Sequence, residues 1–173
     1  MKKTLWITRT AVLIALLVLL QYATKAGGQL LTGSCVNAVL AVAVLFSGLA
    51  SGVTVALISP FFAFLLGIGP QLLPIVPAIA VGNVVYVLLL YFLLFQKNRS
   101  LRRQASGLGL AAVGKFLTLH LLIVQLLCRI LPLGEKQVIT FTAMFSWTQF
   151  VTALIGGSIA LLIVPIFRKA LRR

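Results

Sequence analysis

From Leu30 to Gly67 the chain runs without a single charged residue. Wound as one helix, at 1.5 Å per residue, this stretch would be over about 50 Å long. That is too long for a hydrocarbon core of about 30 Å, so the run has to fold back on itself. The segment Ser47-Gly48-Leu49-Ala50-Ser51-Gly52 is the natural break. It predicts two short helices, about 34–48 and 51–67, with Pro60 kinking the second. Of the 173 residues 61% are apolar and 9% charged, against about 25% charged in an ordinary soluble domain. A soluble domain of this size cannot hide that much apolar surface from water, so lipid is the solvent for most of it. This excludes a soluble enzyme, a soluble nucleic-acid binder and a disordered chain.

The remaining spans follow from the same length argument. A first span covers about 4–23, followed by the small, flexible stretch Thr24 to Gln29. Lys2-Lys3, the run Ala11–Leu20 and the small residues before Gly27 also have the look of a signal peptide, but the apolar run is long for one. Gly67-Ile68-Gly69-Pro70-Gln71 is a turn. A span over about 73–95 carries Pro74 and Pro77 in its first turns, where proline is tolerated. A fifth span covers about 107–131 and a sixth about 138–166, separated by the polar turn Pro132 to Lys136. The fold class is therefore all-α, a single polytopic membrane domain over 1–173 with six transmembrane helices and no internal repeat.

The charges test that count. There are fifteen Lys and Arg, one acid (Glu135) and one histidine (His120), for a net charge of +14. The bases sit between apolar runs, which marks them as topology signals rather than a nucleic-acid surface. With six spans, Lys2, Lys3 and Arg9, the loop Lys97–Arg103 and the tail Arg168–Arg173 all share one side, which is the cytoplasmic one. Both termini are then cytoplasmic. The scarcity of acids excludes paired-carboxylate hydrolysis, aspartate-based metal sites and a proton relay of several acids. No GxxxxGK[ST] motif is present, so the chain carries no ATP motor of that kind. His120 is the only conventional base, a Ser146–His120 pair is the one enzymatic arrangement the sequence offers, and enzymatic chemistry is set aside. No cofactor or metal is expected. Cys35 and Cys128 lie toward the outer side and are read as free thiols.

Polar groups in a bilayer are costly and face the protein interior. Here they gather in the outer half: Gln21 and Tyr22, then Thr32, Ser34 and Asn37, then Asn83 and Tyr86, Gln125 and Arg129, and Trp147 and Gln149. Five helices contributing at one depth point to a pocket open to the outside, suited to a small, flat, polar molecule. The candidate binding residues are Asn37, Asn83, Tyr86, Gln125, Arg129, Trp147 and Gln149. Interhelical hydrogen bonding is the other reading for each of them. Trp6, Trp147 and Tyr22 also suit interface anchors, and Arg129 a snorkelling one. Lys115, Thr118, Leu122, Gln125 and Arg129 recur at helical spacing and form one stripe on the fifth span, with Lys115 in its inner turn and Arg129 at the outer mouth. His120 falls about 140° away from that stripe, as a packed or hydrogen-bonded histidine. On the first span, Ala11 and Ala15 form an AxxxA, which lets another helix approach closely.

These features together resemble the substrate-binding S components of energy-coupling factor (ECF) vitamin transporters. The chain is similar to them in length, six spans, cytoplasmic ends and few acids. Thr10-Ala11-Val12-Leu13-Ile14-Ala15 after a basic start matches the family's opening, and Ser59 to Gly67, Pro74 and Gly82-Asn83 are also in its style. The resemblance implies a high-affinity binding subunit for a water-soluble vitamin or precursor in the bacterial cytoplasmic membrane. It implies partners as well: a transmembrane scaffold subunit, onto which Ala11 and Ala15 dock, and two cytoplasmic ATPase subunits. It further implies that loops 24–34, 67–73 and 132–138 gate the pocket and that the subunit topples in the bilayer. Two alternatives stay open: a self-sufficient facilitator, with Gly52, Gly67 and Gly82 marking thin pore walls, and a structural or assembly membrane protein.

Overall fold

The computed structural model describes residues 2–94 and 100–170. Lys97, Asn98 and Arg99 of the basic loop, and Arg172 and Arg173 of the tail, lie outside the described residues. Every regular element among the described residues is helical: α1 (Lys2–Thr24), α2 (Gly28–Val42), α3 (Leu49–Leu65), α4 (Ile75–Leu94), α5 (Leu101–Leu119), α6 (Cys128–Ile130), α7 (Glu135–Met144) and α8 (Trp147–Ala170). A 3₁₀ turn, Lys25–Gly27, joins α1 to α2. A π-helical segment, Ala43–Ser47, ends α2, and another, His120–Leu127, links α5 to α6.

Four stretches are long and apolar enough to cross a membrane: Lys3–Ser47, Ile75–Leu94, Leu101–Ile130 and Glu135–Ala170, while Leu49–Leu65 is a shorter apolar helix. The first of these is folded in two. Arg9 on α1 sits over the ring of Phe46, 5.1 Å from its centroid, so α1 and α2 run antiparallel about the turn at Lys25–Gly27. Thr10 and Ser51 share a hydroxyl–hydroxyl hydrogen bond of 2.9 Å, and Gln21 reaches Ser59, so α1 and α3 run parallel. Asn37 on α2 bonds Thr152 on α8, and nearer the termini Arg168 donates to the Leu45 carbonyl, so α2 and α8 are also parallel. The result is a bundle of six alternating legs, α1 to α5 and α8, with both described chain ends at the same end.

The break expected near 47–52 falls at Gly48, whose φ of 97° lies in the left-handed region that glycine adopts without strain. Three boundaries differ from the sequence-based expectation. Helix α2 starts at Gly28 rather than near 34, and α5 starts at Leu101 rather than near 107. In both cases polar residues extend a helix that hydropathy alone truncates. The sixth run is divided at Phe145–Ser146 into α7 and α8. The carbonyls released there are satisfied by side chains: Thr148 Oγ1 donates to Ala143 and Gln149 Nε2 to Met144. Phe145, almost fully buried, pins the break against Ile75, Leu119, Ile123 and Phe141.

The main core lies among α1 to α5 and α8, around Leu17, Leu40, Val55, Tyr86 and Leu90. In lipid the legs associate through close packing of small residues rather than by hiding apolar surface from water. The tightest approach is α2 to α8. A Cβ placed on Gly156 would sit 2.5 Å from the Ala38 nitrogen and 2.6 Å from the Ser34 carbonyl oxygen, both backbone atoms that cannot step aside. Gly156→Val is therefore expected to lower the melting temperature in detergent, by a destabilisation of about 1–3 kcal/mol. Gly109→Ala, at a position with open space, is expected to leave the melting temperature unchanged or slightly raised.

Candidate functional site

Between α1, α2, α3, α4, α5 and α8 lies a chamber of about 80 Å³, near the end of the bundle opposite the termini. Its polar lining comes from all six of those legs: Gln21, Gln29, Thr32, Asn37, Ser59, Asn83, Lys115 and Gln149. Ile68, Gly69 and Pro70 close it over, and Phe145 adds an aromatic wall.

Lys115 organises the lining. It is 3% exposed, and its Nζ donates to Asn37 Oδ1 at 2.6 Å and to Asn83 Oδ1 at 2.7 Å. The Tyr86 ring lies beside it, centroid 5.4 Å from Nζ, in cation–π range. Each group is held in turn. Asn37 Nδ2 donates to Thr152 Oγ1 at 3.2 Å, which fixes its oxygen toward the lysine. Tyr86 Oη donates to the Ala153 carbonyl at 2.7 Å, so its hydroxyl is spent on packing and only its ring serves the cation. Among the described residues no salt bridge reaches Lys115. The chain's one acid, Glu135, is exposed at the start of α7.

Gln21 is oriented just as firmly. Its Nε2 donates to the Ser59 carbonyl at 3.2 Å, a bond only the nitrogen can make. That leaves Gln21 Oε1 buried with no hydrogen-bond partner. An unsatisfied buried acceptor costs about 1–3 kcal/mol.

The loop over the chamber is held by the Ile68 N–H, which donates to the Ala63 carbonyl of α3 at 2.8 Å, and by Lys25. Lys25 Nζ donates to the Leu66 carbonyl at 2.9 Å. Gly67 and Gly69, with φ of 66° and 73°, turn the chain back across the opening. Gly69 and Pro70 line the chamber on one side and, on the other, a shallow depression against Lys136, Thr140 and Met144 of α7.

Asn37, Asn83 and Gln149 are brought together as the sequence suggests, and Tyr86 lies behind Lys115. Gln125, Arg129 and Trp147 are placed elsewhere. Arg129 donates to Gln125 Oε1 at 2.7 Å, and Gln125 meets His120 Nε2 at 3.3 Å. His120 Nδ1 in turn meets Ser146 Oγ at 3.2 Å. Both Gln125 and Arg129 are exposed, and Trp147 stacks on Phe116 with its ring largely uncovered. The stripe predicted on the fifth span assumes 3.6 residues per turn throughout. From His120 to Leu127 the helix is wound with π-type i→i+5 bonds, so each residue advances less and the lower half of the stripe rotates off the Lys115 face. The His120–Gln125 contact, five residues apart, is a direct product of that winding.

Lys115 is the residue that sequence reasoning misplaced. Because α5 starts at Leu101, Lys115 lies roughly 21 Å along it, at mid-bundle rather than in an inner turn. The signal that identifies it is a lone cation deep in an apolar run with no acid to pair with. Gln21 and Ser59 were also left out, and Ser59 has no distinguishing signal in the sequence.

An apolar helical bundle of this kind, with a small polar chamber near one end, defines a multi-pass membrane protein. Residues 6–167 match the family described as "ECF transporter, substrate-specific component", and the chain belongs to that family. It is a family of transporter components, not of enzymes. Comparison with curated proteins and with solved structures returned no match. Among the described residues no group of three or more His, Cys, Asp or Glu side chains is placed to hold a metal ion, and Cys35 and Cys128 are free thiols.

If Lys115 is the charge that the amides serve, removing one partner should cost more than removing both. Asn37→Leu is expected to destabilise the ligand-free protein by about 1–3 kcal/mol. The double variant Asn37→Leu with Lys115→Met should recover most of that loss in thermal unfolding. Additive losses would mean that the two side chains are not coupled.

Proposed function

We propose that this chain is the high-affinity substrate-binding subunit of an ECF-type importer in the bacterial cytoplasmic membrane. It takes up a small water-soluble vitamin or vitamin precursor together with a transmembrane scaffold subunit and two ATPases. The six legs cross the membrane, with both termini in the cytoplasm and the chamber facing outward. The observation that carries this reading is the chamber itself, in a chain of this family: a small space between six legs, with Asn37, Asn83, Lys115 and Gln149 in its lining. The loop over Gly69 and Pro70 separates that space from the depression beside α7, so its displacement opens a path to the outside.

A facilitator needs a path through the bundle. Two of the glycines that such a reading relies on are filled contacts instead: Gly52 is pressed against Val44 and Val87, and Gly82 against Leu119. The face for a partner lies on α1. Ala11 and Ala15 are exposed and line a wide apolar groove with Val18, Tyr22, Phe62 and Leu66. Small residues at the floor of such a groove let a partner helix approach closely, which supports scaffold docking there.

A thermal-shift screen of the detergent-purified protein against vitamins, their precursors and nucleobases tests the binding claim. A ligand at 100 times its Kd adds about 2.7 kcal/mol of stability. Asn83→Ala and Gln149→Ala should weaken binding of that ligand while leaving the protein folded. Unchanged affinity in both variants would remove them from the site. For the docking claim, Ala11→Trp should abolish uptake in the assembled transporter and leave binding to the isolated subunit intact. Normal uptake by that variant would rule out this groove as the scaffold face.

A further inference from the structure

We propose that the ligand of the chamber is a monoanion: a small carboxylate, or an equivalent singly charged oxygen group, that takes the Lys115 ammonium as its counter-ion. This inference rests on reading the chain as a binding subunit and adds the chemical class of what it binds. Among the described residues Lys115 is the only charged side chain in the chamber lining. A structural lysine inside a membrane bundle is paired with an acid or extends its head group to the interface. Lys115 does neither. It is buried at mid-bundle, and the chain's only acid, Glu135, is exposed at the start of α7.

The surroundings of Nζ are half of a binding site. Two of the ammonium's three N–H groups go to Asn37 and Asn83, both neutral. The amide dipoles and the Tyr86 ring hold the charge in place but do not neutralise it. A carboxylate entering the chamber takes the third N–H and cancels the charge, forming a charge-assisted hydrogen bond in a water-poor space. A doubly charged phosphate would leave one negative charge unmatched, because no second cation lines the chamber.

The test uses matched acid and neutral pairs on the wild-type protein: nicotinate and nicotinamide, pantothenate and panthenol, biotin and its amide, lipoate and lipoamide. Binding is read by thermal shift and equilibrium dialysis. One acid is expected to bind, with its neutral counterpart at least about tenfold weaker. Asn83→Asp, which places a carboxylate beside Nζ, should raise the melting temperature of the ligand-free protein and abolish binding of that acid. If the neutral member binds as tightly as the acid, or Asn83→Asp leaves acid binding unchanged, the anion assignment is overturned while the binding-subunit reading stands. If no member of any pair shifts the wild-type protein but a neutral or cationic compound of the wider vitamin and nucleobase screen does, the anion assignment is overturned and the binding-subunit reading stands; if nothing in that screen shifts it, both fall. Should Asn83→Asp not fold, the acid-against-neutral comparison decides alone.

Discussion

Burying the Lys115 ammonium at mid-bundle costs several kcal/mol unless polar groups take the place of its water. The arrangement of α2, α4 and α8 follows from that requirement. Asn37 and Asn83 turn their oxygens to Nζ from two different legs, and Thr152 on a third holds Asn37 in that orientation. For Asn37 and Thr152 to meet, α2 and α8 must lie nearly backbone to backbone, and Gly156 is what allows it. The polar network and the small-residue packing are therefore parts of one constraint. A larger residue at 156 would push α8 away and strand the lysine.

The bundle has two chemically distinct ends. Near the termini the contacts are among apolar rings, small hydroxyls and arginines: Phe46 with Phe167, Arg9 over Phe46, Thr10 with Ser51. Toward the other end the legs separate enough to leave the chamber, and a glycine-rich loop, not a helix, covers it. Phe145 and Phe141 wedge the short helix α7 against this end through a second, smaller core.

Much of this was legible in the sequence. The apolar run from Leu30 to Gly67 demanded a fold-back, and Gly48 lies where the small residues placed it. The amides at 37, 83 and 149 were legible because an amide in lipid has to face something polar. What stayed hidden was anything that depends on helical phase or on a single missing bond. The π-helical winding at His120–Leu127 carries Gln125 and Arg129 away from the chamber, and no local residue pattern announces it. The break at Phe145–Ser146 is hidden for a similar reason: an apolar run through 138–166 gives no hint that Thr148 and Gln149 will cap α7. Lys115 was visible as a residue, but its role depends on where α5 starts.

The most direct measurement is a ligand-bound structure of the purified subunit, with the compound that stabilises it supplied at saturating concentration. The account predicts density in the chamber, touching Lys115 Nζ, beneath a loop that still crosses at Gly69 and Pro70. Density confined to the depression beside Lys136 and Thr140, with the chamber empty and Lys115 still held only by Asn37 and Asn83, would contradict it.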